Sequence, residues 1–112
     1  MLEGSCDCGT VRIELTVTPT HVTDCNCGIC RRYGARWSYF DPKVVRIIPP
    51  EGATTIHKRA KRNIEFHFCK VCGCVSHWCV PFEYPRMGVN MRMFPPELLA
   101  SLKVEFCDAA SW

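Results

Sequence analysis

Apolar and polar residues alternate along much of the chain with a period of two. Val11, Ile13, Leu15 and Val17 are separated by Arg12, Glu14 and Thr16, the pattern of a strand with one face buried and one wet. The preceding segment, Ser5-Cys6-Asp7-Cys8-Gly9-Thr10, places a glycine where a tight turn needs one, so residues 3–17 predict a hairpin with Gly9 in the turn. Further strands are predicted over residues 21–27, 54–59, 63–68, 74–80 and 87–94. Residues 36–40 and 43–48 predict a second hairpin around Asp41-Pro42. Pro49-Pro50-Glu51-Gly52 reads as a turn. Pro95 to Leu102 is the best helix candidate, because proline is tolerated in a first helical turn, and Val104 and Phe106 predict a short last strand. No helical pattern of about ten or more residues alternates with the strands, which excludes a parallel α/β sheet. A single, mostly β domain over residues 1–112 is expected, with at most one or two short helices.

Of the 112 residues, 47% are hydrophobic and 22% charged, the proportions of a folded soluble domain. No apolar run reaches the roughly 18 residues of a membrane span. Met1-Leu2-Glu3-Gly4-Ser5 has neither a basic start nor an apolar stretch, so no secretory signal is visible and a cytoplasmic location is expected. Disulfides are not expected in that reducing compartment. The ten cysteines therefore need another explanation. Metal binding also changes the charge: seven thiolates on two divalent ions bring the formal +3 to about zero. Charge thus gives little support to a nucleic-acid partner. The basic run His57-Lys58-Arg59-Ala60-Lys61-Arg62 reads as a solvated loop or strand end.

Three cysteine clusters stand out: Cys6-Asp7-Cys8, Cys25-Asn26-Cys27-Gly28-Ile29-Cys30 and Cys69-Lys70-Val71-Cys72-Gly73-Cys74. Residues i and i+2 of a strand share a face, so Cys6 and Cys8 are able to grip one ion. A Cys-x-x-Cys-Gly turn converges two sulfurs, and its glycine lets backbone amides approach them. Cys6, Cys8, Cys69 and Cys72 together close a tetrahedral site, as a structural zinc requires. Such a staple suits a small β domain with a modest core. Cys25, Cys27 and Cys30 supply three thiolates and no equally good local fourth, the arrangement of a catalytic zinc with one open position. A purely structural role for both metals is the rival, with the open position closed by a partner, by water or by Cys74. Cys79 and Cys107 read as small buried residues. None of the four histidines is expected to be a ligand.

These motifs, in this order and with Gly9-Thr10-Val11-Arg12, Arg31-Arg32 and Val89-Asn90-Met91-Arg92 around them, resemble the glutathione-dependent formaldehyde-activating enzyme family, also called the GFA/CENP-V domain. The resemblance implies an Mss4-like β-tent built of antiparallel sheets around zinc. It also implies a structural zinc at Cys6, Cys8, Cys69 and Cys72 and a catalytic zinc at Cys25, Cys27 and Cys30. The tail Phe106-Cys107-Asp108-Ala109 departs from the Phe-Asp-Gly ending of many relatives. The function it implies is that of a carbon–sulfur lyase, joining a small thiol such as glutathione to an aldehyde as an S-hydroxymethylglutathione synthase does. In that reading Arg92, with Arg31 and Arg32, holds the carboxylates of the thiol, and Asn90 serves as a carbonyl donor. The alternative is a non-catalytic, zinc-stabilised binding module. The sequence leaves the oligomeric state open.

Overall fold

The computed structural model describes residues 1–60 and 63–111. Lys61 and Arg62 of the basic run therefore lie outside the described residues. The elements are β1 (Leu2–Ser5), β2 (Arg12–Leu15), β3 (His21–Cys25), α1 (Gly28–Tyr33), β4 (Trp37–Phe40), β5 (Val45–Ile48), β6 (Thr54–Arg59), β7 (Ile64–Cys69), β8 (Val75–Cys79), β9 (Met87–Asn90), α2 (Pro96–Ala100) and β10 (Lys103–Cys107). Among the described residues the strands form two sheets, ordered β1-β2-β5 and β10-β3-β4-β9-β8-β7-β6. The expected mostly β fold with two short helices is what the chain adopts. The helix carrying Pro96 is the predicted one, and no helix is long and apolar enough to cross a membrane.

The period-two pattern places the core. Val11, Ile13 and Leu15 are fully buried, and Ile13 and Leu15 pack with Val22, Phe40, Val89 and Met91. Val17 departs from the expected face and is 43% exposed, because β2 ends at Leu15 and Thr16 then bonds to the Val44 carbonyl before the turn. The predicted hairpin of β4 and β5 does not form. Asp41 caps a short 3-10 turn at Pro42–Val44, its carboxylate accepting from the Lys43 amide at 2.9 Å. The chain thereby crosses between sheets: β4 pairs with β3 and β9, and β5 pairs with β2. Pairing is also not wholly antiparallel, since β10 runs parallel to β3, with Cys107 opposite Cys25. The segment Cys30-Arg31-Arg32-Tyr33-Gly34 is mostly helix; Arg31 and Arg32 are exposed but Cys30 is buried.

Strands β4, β9, β8 and β7 form the platform on which the cavity described below is built. Gly88 of β9 faces Trp78 of β8 across the ladder, and the Trp78 indole occupies the place a Cβ at Gly88 would take. The same ring leans on Tyr39 of β4, centroid to centroid 6.1 Å. Gly88→Ala is expected to push the indole off the sheet and to cost about 1–3 kcal/mol, as overpacking of a filled core does. Urea unfolding of the variant beside the wild type measures this.

Candidate metal centres

Two turns build the first cluster. The chain leaves β1 at Cys6, whose amide bonds to the Val11 carbonyl at 3.0 Å and whose sulfur accepts from the Val11 amide at 3.3 Å. Gly9 turns the chain at φ +79°, carrying Cys8 back over Cys6. At the end of β7 the Cys69 carbonyl accepts from the Gly73 amide at 3.0 Å, with Gly73 at φ +80°, and the Cys69 sulfur accepts from the Val71 amide at 3.4 Å. The Cys6–Cys8 and Cys8–Cys69 sulfur separations are 3.7 and 3.6 Å. A tetrahedron of thiolates about 2.3 Å from a zinc ion has edges of about 3.8 Å. The ligand atoms of Cys6, Cys8, Cys69 and Cys72 all lie within 4.8 Å of one another, so the donor set fits a metal ion of that kind. Burial pushes the Cys6 thiol up to about 11. Backbone amides of Cys74 and Cys8 pull Cys72 down to about 6. Cys74 hydrogen-bonds to Cys72, so it sits at this cluster and not at the second.

The second cluster is local. Cys25 ends β3, Cys27 caps α1, and Cys30 lies in the first turn of that helix. The Cys27 sulfur accepts from the Cys30 amide at 3.4 Å, doing for the helix what a serine or aspartate side chain usually does. Gly34, in the left-handed region at φ +65°, closes the helix by donating to the Cys30 carbonyl at 3.0 Å. The three ligand atoms lie within 4.8 Å of one another, and all three residues are buried. Burial pushes the Cys27 thiol up, but the Cys30 amide and the Arg59 guanidinium, 3.3 Å from the sulfur, overcome it and bring the pKa to about 7. Burial holds Cys30 well above the ordinary thiol range. The Trp37 indole N–H makes no hydrogen bond of ordinary length, yet it is close enough to Cys30 to favour its thiolate. A buried donor of this kind suits a sulfur that carries charge.

Cys25, Cys27 and Cys30 open onto a cavity of 580 Å³. Trp37, Tyr39, Phe66 and Trp78 supply its aromatic lining, Arg59 and Arg86 its cations, and Phe106 and Cys107 of β10 a further wall. Arg86 stacks on Tyr39, 4.2 Å from the ring centroid. The sequence reasoning missed Asn26, which ties the C-terminal segment to the cluster. Its side-chain carbonyl accepts from the Ala109 amide at 2.5 Å, and its side-chain amide donates to Asp108 at 3.0 Å. Its place between two cysteines was the available signal. Cys107 is half-buried and lines this cavity, and the half-buried Cys79 lies 3.4 Å from His67, so neither is merely an apolar filler.

Asn90 and Arg92 are not brought to the thiol cavity. After β9 a 3-10 turn at Met91–Met93 bends the chain, and both residues line a different cavity of 710 Å³ with Arg32 and His57. Asn90 is buried and engaged with the backbone. It donates to the Val75 carbonyl at 2.8 Å and accepts from the amides of Arg36 and Arg92, each at 3.2 Å. These bonds make Asn90 a strand-end fastening. Arg32 is exposed and donates to the Gly28 carbonyl at 2.7 Å.

Fold and clusters together define a thiol-rich β protein able to hold metal ions. The family model for the glutathione-dependent formaldehyde-activating enzyme matches residues 1–91, and the chain belongs to that family. A solved crystal structure of a Rhodobacter sphaeroides protein, a Northeast Structural Genomics target, is 25% identical, with a TM-score of 0.75 over 93% of this chain and 100% of that one. The family match contains every cysteine of both clusters and stops short of β10.

Thiol alkylation tests the geometry. As a chelator begins to draw metal from the folded, reduced protein at pH 7, Cys72 is expected to react with iodoacetamide well before Cys6, since the thiolate is the nucleophile and Cys6 is buried. Stoichiometric zinc should suppress alkylation of all four thiols. Mass mapping of the labelled peptides reads both effects.

Proposed function

We propose that residues 1–112 act as one two-zinc domain, a cytoplasmic carbon–sulfur lyase that joins a small thiol of the glutathione type to formaldehyde or another small aldehyde. The observation that carries this reading is the three-thiol cluster, buried and yet lining a cavity with two arginines. Cys6, Cys8, Cys69 and Cys72 would hold the structural zinc, and Cys25, Cys27 and Cys30 the catalytic one. When bound by three thiolates, zinc supplies a fourth position at which an incoming thiol loses its proton.

The chain's own residues supply the rest. Arg59, at 3.3 Å from the Cys27 sulfur, offsets the negative charge that accumulates when a fourth sulfur joins three. Trp37, Phe66 and Trp78 give the cavity an apolar wall, against which polar contacts are stronger than in bulk solution. Arg86, held over Tyr39, is placed to meet a carboxylate of a peptide thiol. In the reaction the thiolate sulfur donates its electron pair to the aldehyde carbon. The carbonyl π pair moves to oxygen, which takes up the proton released by the thiol, giving the S-hydroxyalkyl adduct. The reverse sequence cleaves the carbon–sulfur bond.

Elemental analysis of reduced protein is expected to give about two zinc ions per chain, because seven thiols gather in two ligand sets. Cys69→Ser should yield insoluble or unfolded protein, since structural zinc contributes on the order of 10–16 kcal/mol in small domains and net stability is only about 5–15 kcal/mol. Cys27→Ser should stay folded and lose turnover of glutathione with formaldehyde, followed by nuclear magnetic resonance of the adduct. Arg86→Ala should raise KM for glutathione by about tenfold or more with kcat little changed, the effect of losing one charge-assisted hydrogen bond. Two zinc ions with no turnover and no added sulfur in the zinc shell at millimolar glutathione would favour the binding module instead.

A further inference from the structure

A third group of ligand-type side chains lies apart from the two thiol clusters. Glu65 and His67 are on β7, and Cys79 is on β8. Glu65 and Cys79 are directly opposed in the ladder, and His67 follows Glu65 by two residues, so all three project from one face. That face is not the thiol cavity. Phe66 and Trp78, the alternate ladder pair, line the cavity from the other side of the sheet. The ligand atoms of Glu65, His67 and Cys79 lie within 4.8 Å of one another, and the three residues are half-buried.

The histidine is oriented as a ligand would be. The Thr54 hydroxyl on β6 lies 2.9 Å from His67 Nδ1. With Nδ1–H donating to that oxygen, Nε2 turns its lone pair toward the Cys79 sulfur, 3.4 Å away. Tetrahedral zinc with one nitrogen and one sulfur ligand separates those atoms by about 3.6 Å. An outer hydrogen bond that fixes the tautomer is the usual companion of a metal-bound histidine. His77 stacks on His67 at 4.3 Å and keeps the ring from turning. Lys58 pairs with Glu65 at 4.0 Å and is well exposed, a weak competitor for the carboxylate.

We propose that Glu65, His67 and Cys79 form a third metal site, selective for a divalent ion of borderline softness such as zinc or cobalt. One carboxylate, one imidazole and one thiolate match that class and leave a position for water. The site is independent of the catalytic reading above.

Cobalt(II) added to protein adjusted to two zinc ions per chain tests it. One further equivalent is expected, with tetrahedral ligand-field bands and a single thiolate-to-cobalt charge-transfer band. His67→Gln and Cys79→Ser should both lose these bands while keeping the zinc content of the wild type, and Thr54→Val should weaken binding about 10–100-fold. Absence of a further equivalent in the wild type overturns the site. So do cobalt bands that persist undiminished in His67→Gln or Cys79→Ser, because the ion then sits in a cysteine cluster. If either variant fails to fold, the wild-type titration together with the other two variants still decides, since Thr54→Val leaves all three ligands in place.

Discussion

Thiolates crowded within a few ångströms of one another repel, and a cluster of them is tolerable only around a cation. Much of the architecture follows from that constraint at Cys6, Cys8, Cys69 and Cys72. The first pair belongs to the three-stranded sheet and the second to the seven-stranded one, so the cluster joins the sheets at one end. Cys6 and Cys69 are buried beside Val11 and Ile47, while Cys8 faces outward. The main core also gathers apolar residues of β2, β3, β4 and β9, with Val45 and Ile47 of β5 packed against them. A core of that size in a chain of 112 residues leaves room for a metal staple to be decisive.

The second cluster uses the opposite strategy. Its three thiols come from one short stretch, and a six-residue helix holds two of them. The cavity in front of it is assembled from distant pieces: aromatic rings of β4, β7 and β8, Arg59 at the end of β6, and the C-terminal β10. A rigid thiol set is thus paired with a wall drawn from many elements. The wall determines which molecules fit, and the portion contributed by β10 lies beyond the family match.

Most strands were legible because alternation is a local signal: Val11, Ile13 and Leu15 announce their buried face without reference to the rest of the chain. Both thiol sets were legible from spacing for the same reason. Helix α1 was not, because six residues are too few to display a 3.6-residue period and its cap is a cysteine where the usual signal is serine or aspartate. The failure of β4 and β5 to pair is a long-range fact, set by the edges that β2 and β9 offer. The positions of Asn90 and Arg92 hinge on a three-residue turn with no strong sequence mark. Glu65, His67 and Cys79 escaped notice because only the ladder between β7 and β8 brings Cys79 beside the other two.

The pairing of β10 with β3 sets an order of events on the ribosome. Chains fold from the N-terminal side as they emerge. Cys25, Cys27 and Cys30 lie close together in the chain, whereas β10, which pairs with β3, is synthesised much later. Cys6 and Cys8 must wait for Cys69 and Cys72 before their shell closes. Phe106 and Cys107 of β10 join the cavity wall only after the three-thiol stretch has been synthesised.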